Sequence, residues 1–130
     1  MTMGQDRASG AKADQRGREK GKDIARALGA RDLSKNSNEC TLNDVRTVIK
    51  SARVGNNKIG VPYKMLPRVS RVIAGFEKLD GTFELFELTS AQFQAGMSPT
   101  ASTGNSRGKV GMVARSYFQA HGASRGTVRV

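Results

Sequence analysis

Apolar positions are sparse in the first third of the chain and dense in its middle. The opening "MTMGQDRASGAKADQ" scatters single alanines and methionines among charges and glycines, the pattern of a flexible polar arm over residues 1–15. Across residues 16–28, Gly21, Ile24, Ala25 and Leu28 recur at helical spacing, and Gly29 is placed to end the helix. Residues 30–43, with "DLSKNSNE", are rich in turn formers and read as a loop. "VRTVIKSAR" at 45–53 reads as a strand, with Arg46, Val48, Lys50 and Ala52 on one face and Val45, Thr47, Ile49 and Ser51 on the other. "GNN" at 55–57 marks a turn and "KIGV" at 58–61 a short strand. Pro62 and Pro67 bracket "YKML", a turn of helix or an irregular connection.

The second half is more regular. "VSRVIAGFE" and "TFELFEL" read as two strands joined at Asp80-Gly81, a pair that tolerates the positive φ of a tight turn. The mixed alternation of "TFELFEL" predicts cover on both faces. Thr89 with Gln92 forms a capping box for a short helix ending by Gly96. "SPTASTGNSRG" reads as a loop of a length that often contacts ligands. "KVGMV" is a strand, "SYFQAHG" a short helix with Ser116 capping and Gly122 ending it, and "GTVRV" a closing strand. Helices and strands do not alternate strictly, so residues 16–130 are expected to form one α+β domain, a mixed sheet flanked by helices.

Charge changes the picture most. The 130 residues carry 22 basic and 11 acidic side chains, a net +11, with a pI near 10.6. Between Cys40 and Phe76 Asp44 is the single acid, against Arg46, Lys50, Arg53, Lys58, Lys64, Arg68 and Arg71. From Ser98 to Val130 there is no acid at all. Such an excess suits a polyanion, because each phosphate neutralised releases counterions. Nucleic acid is the expected partner, duplex DNA above single strands because aromatics for stacking are only 5%. No apolar run approaches the roughly 18 residues of a membrane span, and the N-terminus has no apolar core, so a cytoplasmic protein without membrane contact is expected.

Several chemistries lack their residues. One histidine and one cysteine do not make a four-ligand zinc centre. His121 reads as a helix-end histidine facing the last carbonyls, and Cys40 as a buried structural cysteine. "GNSRGKV" at 104–110 is glycine-rich but lacks the phosphate-loop spacing and its metal-binding hydroxyl, which argues against an NTPase. It remains either a backbone-amide contact for phosphates or a plain loop. What is left is acids near a lysine in a basic domain. Mg²⁺ takes one or two carboxylates plus phosphate, and a neighbouring lysine can stabilise developing charge.

The layout resembles the PD-(D/E)XK, or restriction-endonuclease-like, nuclease superfamily. "GREKGKDIARALGA" corresponds to its N-terminal helix, "NEC" with Glu39 to its first acid, and "VIK", Val48 to Lys50, to its (D/E)-X-K triplet. The stretch "SRVIAGFEKLDGTFELFELTSAQF" is similar to the hairpin and helix that follow. The resemblance runs over residues 17–130 in order of elements. It implies a restriction-endonuclease-like fold and Mg²⁺-dependent phosphodiester hydrolysis, with Lys50 and Glu39 catalytic and Glu39 with Glu19 holding metal. The sequence departs from the pattern at Val48, where the second acid belongs. Asp23 and Asp44 are further candidates for that acid. Arg46, Arg53, Lys58, Lys64, Arg107 and Lys109 would contact phosphates, and symmetric DNA would suit a homodimer.

Each residue also has a plainer role. Glu39 can be a solvated loop acid, Lys50 an edge lysine that discourages strand pairing, and Glu19 a helix residue paired with Lys22. The missing acid favours a second function: a non-catalytic basic module that binds nucleic acid within a larger assembly. A third is a basic protein whose partner is an acidic protein.

Overall fold

A computed structural model of the chain describes residues 3–99 and 108–130, with side chains from residue 15 onward. Helix α1 (Met3–Ala27) is followed by strands β1 (Glu39–Leu42), β2 (Val45–Ala52), β3 (Lys58–Pro62), β4 (Arg71–Glu77) and β5 (Phe83–Thr89). Then come helix α2 (Ser90–Gly96), strands β6 (Ser98–Pro99) and β7 (Val110–Ala114), helix α3 (Arg115–His121) and strand β8 (Ala123–Val128). A 3-10 turn, Leu66–Arg68, lies between β3 and β4.

The fold is α+β, as expected, but with two sheets. A five-stranded sheet runs β1-β2-β4-β5-β8, and a three-stranded sheet runs β3-β7-β6. The larger one is mixed: β2 and β4 are parallel and every other neighbouring pair is antiparallel. Each of its faces is covered by a different layer. On one, α1 sets Ile24 and Ala25 against Ile49, Ile73, Phe83 and Leu85. On the other, Val48, Val72, Phe76 and Leu88 meet Ile59, Val61, Phe93, Val113 and Phe118 from the small sheet, α2 and α3. Cover on both sides explains why Thr47, Val48 and Ile49 are buried consecutively, as are Val72 to Phe76. In β5 the apolar Phe83, Leu85, Phe86 and Leu88 are buried on both faces, as its irregular alternation predicted.

Local signals set several boundaries. In the β4–β5 turn, Asp80 Oδ1 accepts from the Thr82 amide at 2.9 Å, and Gly81 takes φ 85°. Thr89 Oγ1 accepts from the Gln92 amide at 3.0 Å, while the Thr89 amide donates to Gln92 Oε1 at 2.8 Å, completing the capping box of α2.

Three expectations need correcting. The helix expected from residue 16 begins at Met3, so most of the segment read as a flexible arm is helical. Its Gln, Arg, Lys and Ala residues are good helix formers and outweigh two glycines. The loop assigned to 30–43 contains β1, which forms a hairpin with β2 through Asn43-Asp44. Both turn residues have positive φ, 50° and 63°, the geometry of a tight turn whose twist matches the flanking strands. Ser116 does not cap α3: that helix starts at Arg115, whose amide donates to the Asn57 carbonyl at 2.7 Å instead.

Two glycines of α1 make opposite demands. A Cβ on Gly21 would lie 2.2 Å from Asn38 Nδ2 and 2.9 Å from the Ile49 carbonyl, so the helix crosses β2 there at backbone distance. A Cβ on Gly17 would meet nothing within 4 Å. Gly17→Ala is therefore expected to stabilise by about 0.5–1 kcal/mol through helix propensity. Gly21→Ala should destabilise by about 1–2 kcal/mol, since overpacking exceeds the same propensity gain. Urea unfolding of both variants checks the opposed signs.

Candidate nucleic-acid interface

The register of β1 against β2 places the two central residues. Glu39 lies opposite Val48, so both side chains leave the same face of the sheet, and Lys50 follows two residues later on that face. Because β1 begins at Glu39, the Lys50 end of β2 runs past it. The 3-10 turn Leu66–Arg68, with Pro67 at its centre, brings in Arg68. Its Nη2 donates to Glu39 Oε1 at 2.6 Å and its Nε to Oε2 at 3.3 Å. Ser37 Oγ donates to Oε1 at 3.2 Å.

This face opens into a cleft of about 690 Å³, lined by Arg18, Glu39, Lys50, Arg53, Lys64 and Arg68 among others. The fold thus brings Glu39, Lys50, Arg53 and Lys64 into one concavity, where the sequence had placed them separately. Arg18 and Arg68 complete the set and were not singled out by sequence. Arg18 is carried in by α1, whose backbone is tied to the cleft wall: Asn38 Nδ2 donates to the Arg18 carbonyl, and Ser51 Oγ to the Gly17 carbonyl, both at 3.3 Å.

Other candidates lie elsewhere. Arg46 is anchored to the Asp32 carbonyl and Thr41 Oγ1. Lys58 starts β3, exposed and outside the cleft. Lys109 is exposed past the opposite end of β3 and does not line the cleft, its carbonyl accepting from the Tyr63 amide at 2.9 Å. Arg107 lies outside the described residues. Glu19 does not line the cleft; it is exposed and accepts from Gln15 Nε2, not from Lys22. Asp23 pairs with Arg26 and Asp44 with Arg31. Cys40 is buried, and burial raises its thiol pKa. His121 sits in the last turn of α3 with its ring 4.4 Å from that of Tyr117.

Electrostatics in the cleft are lopsided. Five basic side chains face one carboxylate, and that carboxylate is matched by Arg68. Among the described residues Arg18, Arg53 and Lys64 form no ion pair. Glu39 is only 8% exposed, and the Arg68 hydrogen bonds hold its pKa below the ordinary carboxylate value against the opposing pull of burial. Ser37 and the charges of Arg68 and Arg46 act in the same direction.

The sign of the pH effect follows. A carboxylate with a depressed folded pKa adds stability that is complete above its unfolded value, about 4.3. That stability is lost as pH falls from there through the lower folded value. Glu39→Gln should therefore flatten the acid limb of a stability–pH curve below about pH 4.3. An acid limb identical to the parent's would show that the pair adds nothing.

Mg²⁺ does not fit this donor set. Glu39 is the one carboxylate among the described lining residues, and both its oxygens are held by Arg68. The remaining charged groups are cations that repel a divalent ion. Among the described residues no group of three His, Cys, Asp or Glu side chains converges anywhere. Nor does any described helix have the length and apolarity to cross a membrane.

Neither a known protein family nor a curated protein matches this chain.

Proposed function

We propose that this chain binds nucleic acid, DNA in the first instance, through phosphate contacts in the cleft, without holding a catalytic metal of its own. One observation carries the reading: five basic side chains from three separate segments, α1, the end of β2 and the β3–β4 connection, converge on one concavity whose single described acid is already neutralised. Converged charge of one sign between low-dielectric walls focuses the field and attracts a polyanion. Glu39 is then a positioning residue that fixes the Arg68 guanidinium.

Fluorescence anisotropy with labelled DNA between 50 and 200 mM salt tests the proposal. With about four phosphates engaged, log K should fall against log salt with a slope of roughly −3 to −4. No binding at 50 mM, or a flat slope, would sink it.

The second reading is a nuclease of the restriction-endonuclease-like type, active on duplex DNA with Mg²⁺. It is favoured by one specific observation, the presence of Glu39 and Lys50 in the same cleft. Nicking of supercoiled plasmid in Mg²⁺ or Mn²⁺, abolished by Lys50→Ala and by Glu39→Ala, would establish it. Binding without nicking would remove it.

A further inference from the structure

We propose that the cleft seats one unpaired nucleotide of a strand, with its phosphate, and not the face of a duplex; this rests on the nucleic-acid reading above. Shape is the first argument. Proteins that read duplex DNA push a convex element, a helix or a two-stranded ribbon, into a groove. Here the basic groups line a concavity. The two seven-residue helices α2 and α3 do not border it, and α1 lends it only Gly17 and Arg18. A volume of about 690 Å³ falls within the range of sites that enclose one small guest, roughly 300–1,000 Å³. A base still stacked and paired within a duplex has no way into such a space.

Chemistry is the second argument. A cleft meant only for backbone phosphates needs only cations. This one adds Asn36 and Asn56, and an apolar strip from Pro62 and Met65. Asn36 is exposed, and its carboxamide makes no hydrogen bond among the described residues. Asn56 uses Oδ1 to accept from the Lys58 amide at 3.2 Å, which leaves its Nδ2 donor available. A carboxamide offers a donor and an acceptor side by side, the complement of a base edge. Splayed bases are recognised by that kind of hydrogen bonding together with contact to the base face. Arg68, held by Glu39, supplies the fixed two-pronged donor for the attached phosphate, and Lys64 and Arg53 supply charge for its neighbours.

The decisive measurement is competitive anisotropy at 50 mM salt with the intact chain. The probe is a labelled twelve-nucleotide single strand, and the competitors are the same sequence as a blunt duplex, adenosine monophosphate, and inorganic phosphate. The single strand should bind at least about tenfold tighter than the duplex, the order expected when one added hydrogen-bonded base-edge contact is made. Adenosine monophosphate should displace the probe at lower concentration than phosphate does. Asn36→Ala should weaken strand binding several-fold and leave duplex binding unchanged.

A free nucleotide that competes as well as the strand would support the same seat with a free nucleotide as its natural guest. Duplex binding as tight as the single strand's, or phosphate competing as well as the nucleotide, overturns the inference while the nucleic-acid reading stands. If neither strand form binds, both fall together.

Discussion

Replacing Arg18, Arg53 and Lys64 together by alanine is expected to weaken nucleic-acid binding by about 10²–10³-fold at 0.1 M salt, with no change in fold. Each contributes an uncompensated charge to the cleft, since none has an ion pair among the described residues. Three lost phosphate contacts reduce the slope of log K against log salt by roughly 2.7, and at 0.1 M that slope converts to the stated loss. All three side chains are exposed. Surface substitutions of this kind change stability by only about 0.5 kcal/mol either way.

The control removes the same charge from elsewhere. Arg26, Lys78 and Arg129 are also exposed and do not line the cleft. Their triple alanine variant lowers net charge equally, so it should retain most of the affinity. If the two triple variants lose binding alike, affinity comes from overall charge and the cleft has no special part in it.

How far the sequence disclosed this arrangement depends on where each signal lies. Strands β2, β4 and β5 and helix α2 were legible because their information is local: apolar runs, a turn at Asp80-Gly81, and a capping box within four residues. Strand β1 was not. "ECTL" has one strong strand former and no clear alternation, and its pairing is dictated by the Asn43-Asp44 turn and by β2 beside it. The turn was present in the residue types, since Asn and Asp are the non-glycine residues that most readily accept positive φ.

The site shows the same division. Lys50 and Glu39 could be picked out because a strand with an interior lysine is visible in sequence. Arg68 could not, because it reaches Glu39 across 29 residues and only once the chain has turned at Pro67. Arg18 depends on the close crossing of α1 over β2 at Gly21, a tertiary distance with no local signature. Glu39, read as a solvated loop acid in its plainer role, is a buried strand residue engaged with arginine, a placement that required the partner to be seen.

Phe118→Ala should give the largest loss of stability, about 3–5 kcal/mol, because it removes a fully buried aromatic that joins three elements. Phe118 lies on α3, where its ring packs edge-on against Phe76 of β4 at 5.8 Å and Phe93 of α2 at 6.2 Å. Phe76 in turn meets Phe86 at 6.3 Å and lies under the Arg115 guanidinium at 5.3 Å. The cavity left by alanine would therefore open at the junction of the large sheet, α2 and α3, where Gly96 and Tyr117 already pack too tightly for a Cβ on Gly96. For a domain of this size the loss corresponds to a fall in Tm of about 10–20 °C. Phe118→Leu keeps much of the volume and should lose less than half as much. The cleft takes only Met65 from the same apolar cluster and is otherwise lined from α1, the loop before β1, Glu39, the end of β2 and the turn after it, Pro62 and the β3–β4 connection. Nucleic-acid affinity measured well below the new Tm should accordingly stay within about twofold of the parent, as additivity predicts for sites without shared partners. A large affinity loss in a variant that is still fully folded would mean that the aromatic cluster sets the geometry of the cleft as well as its stability.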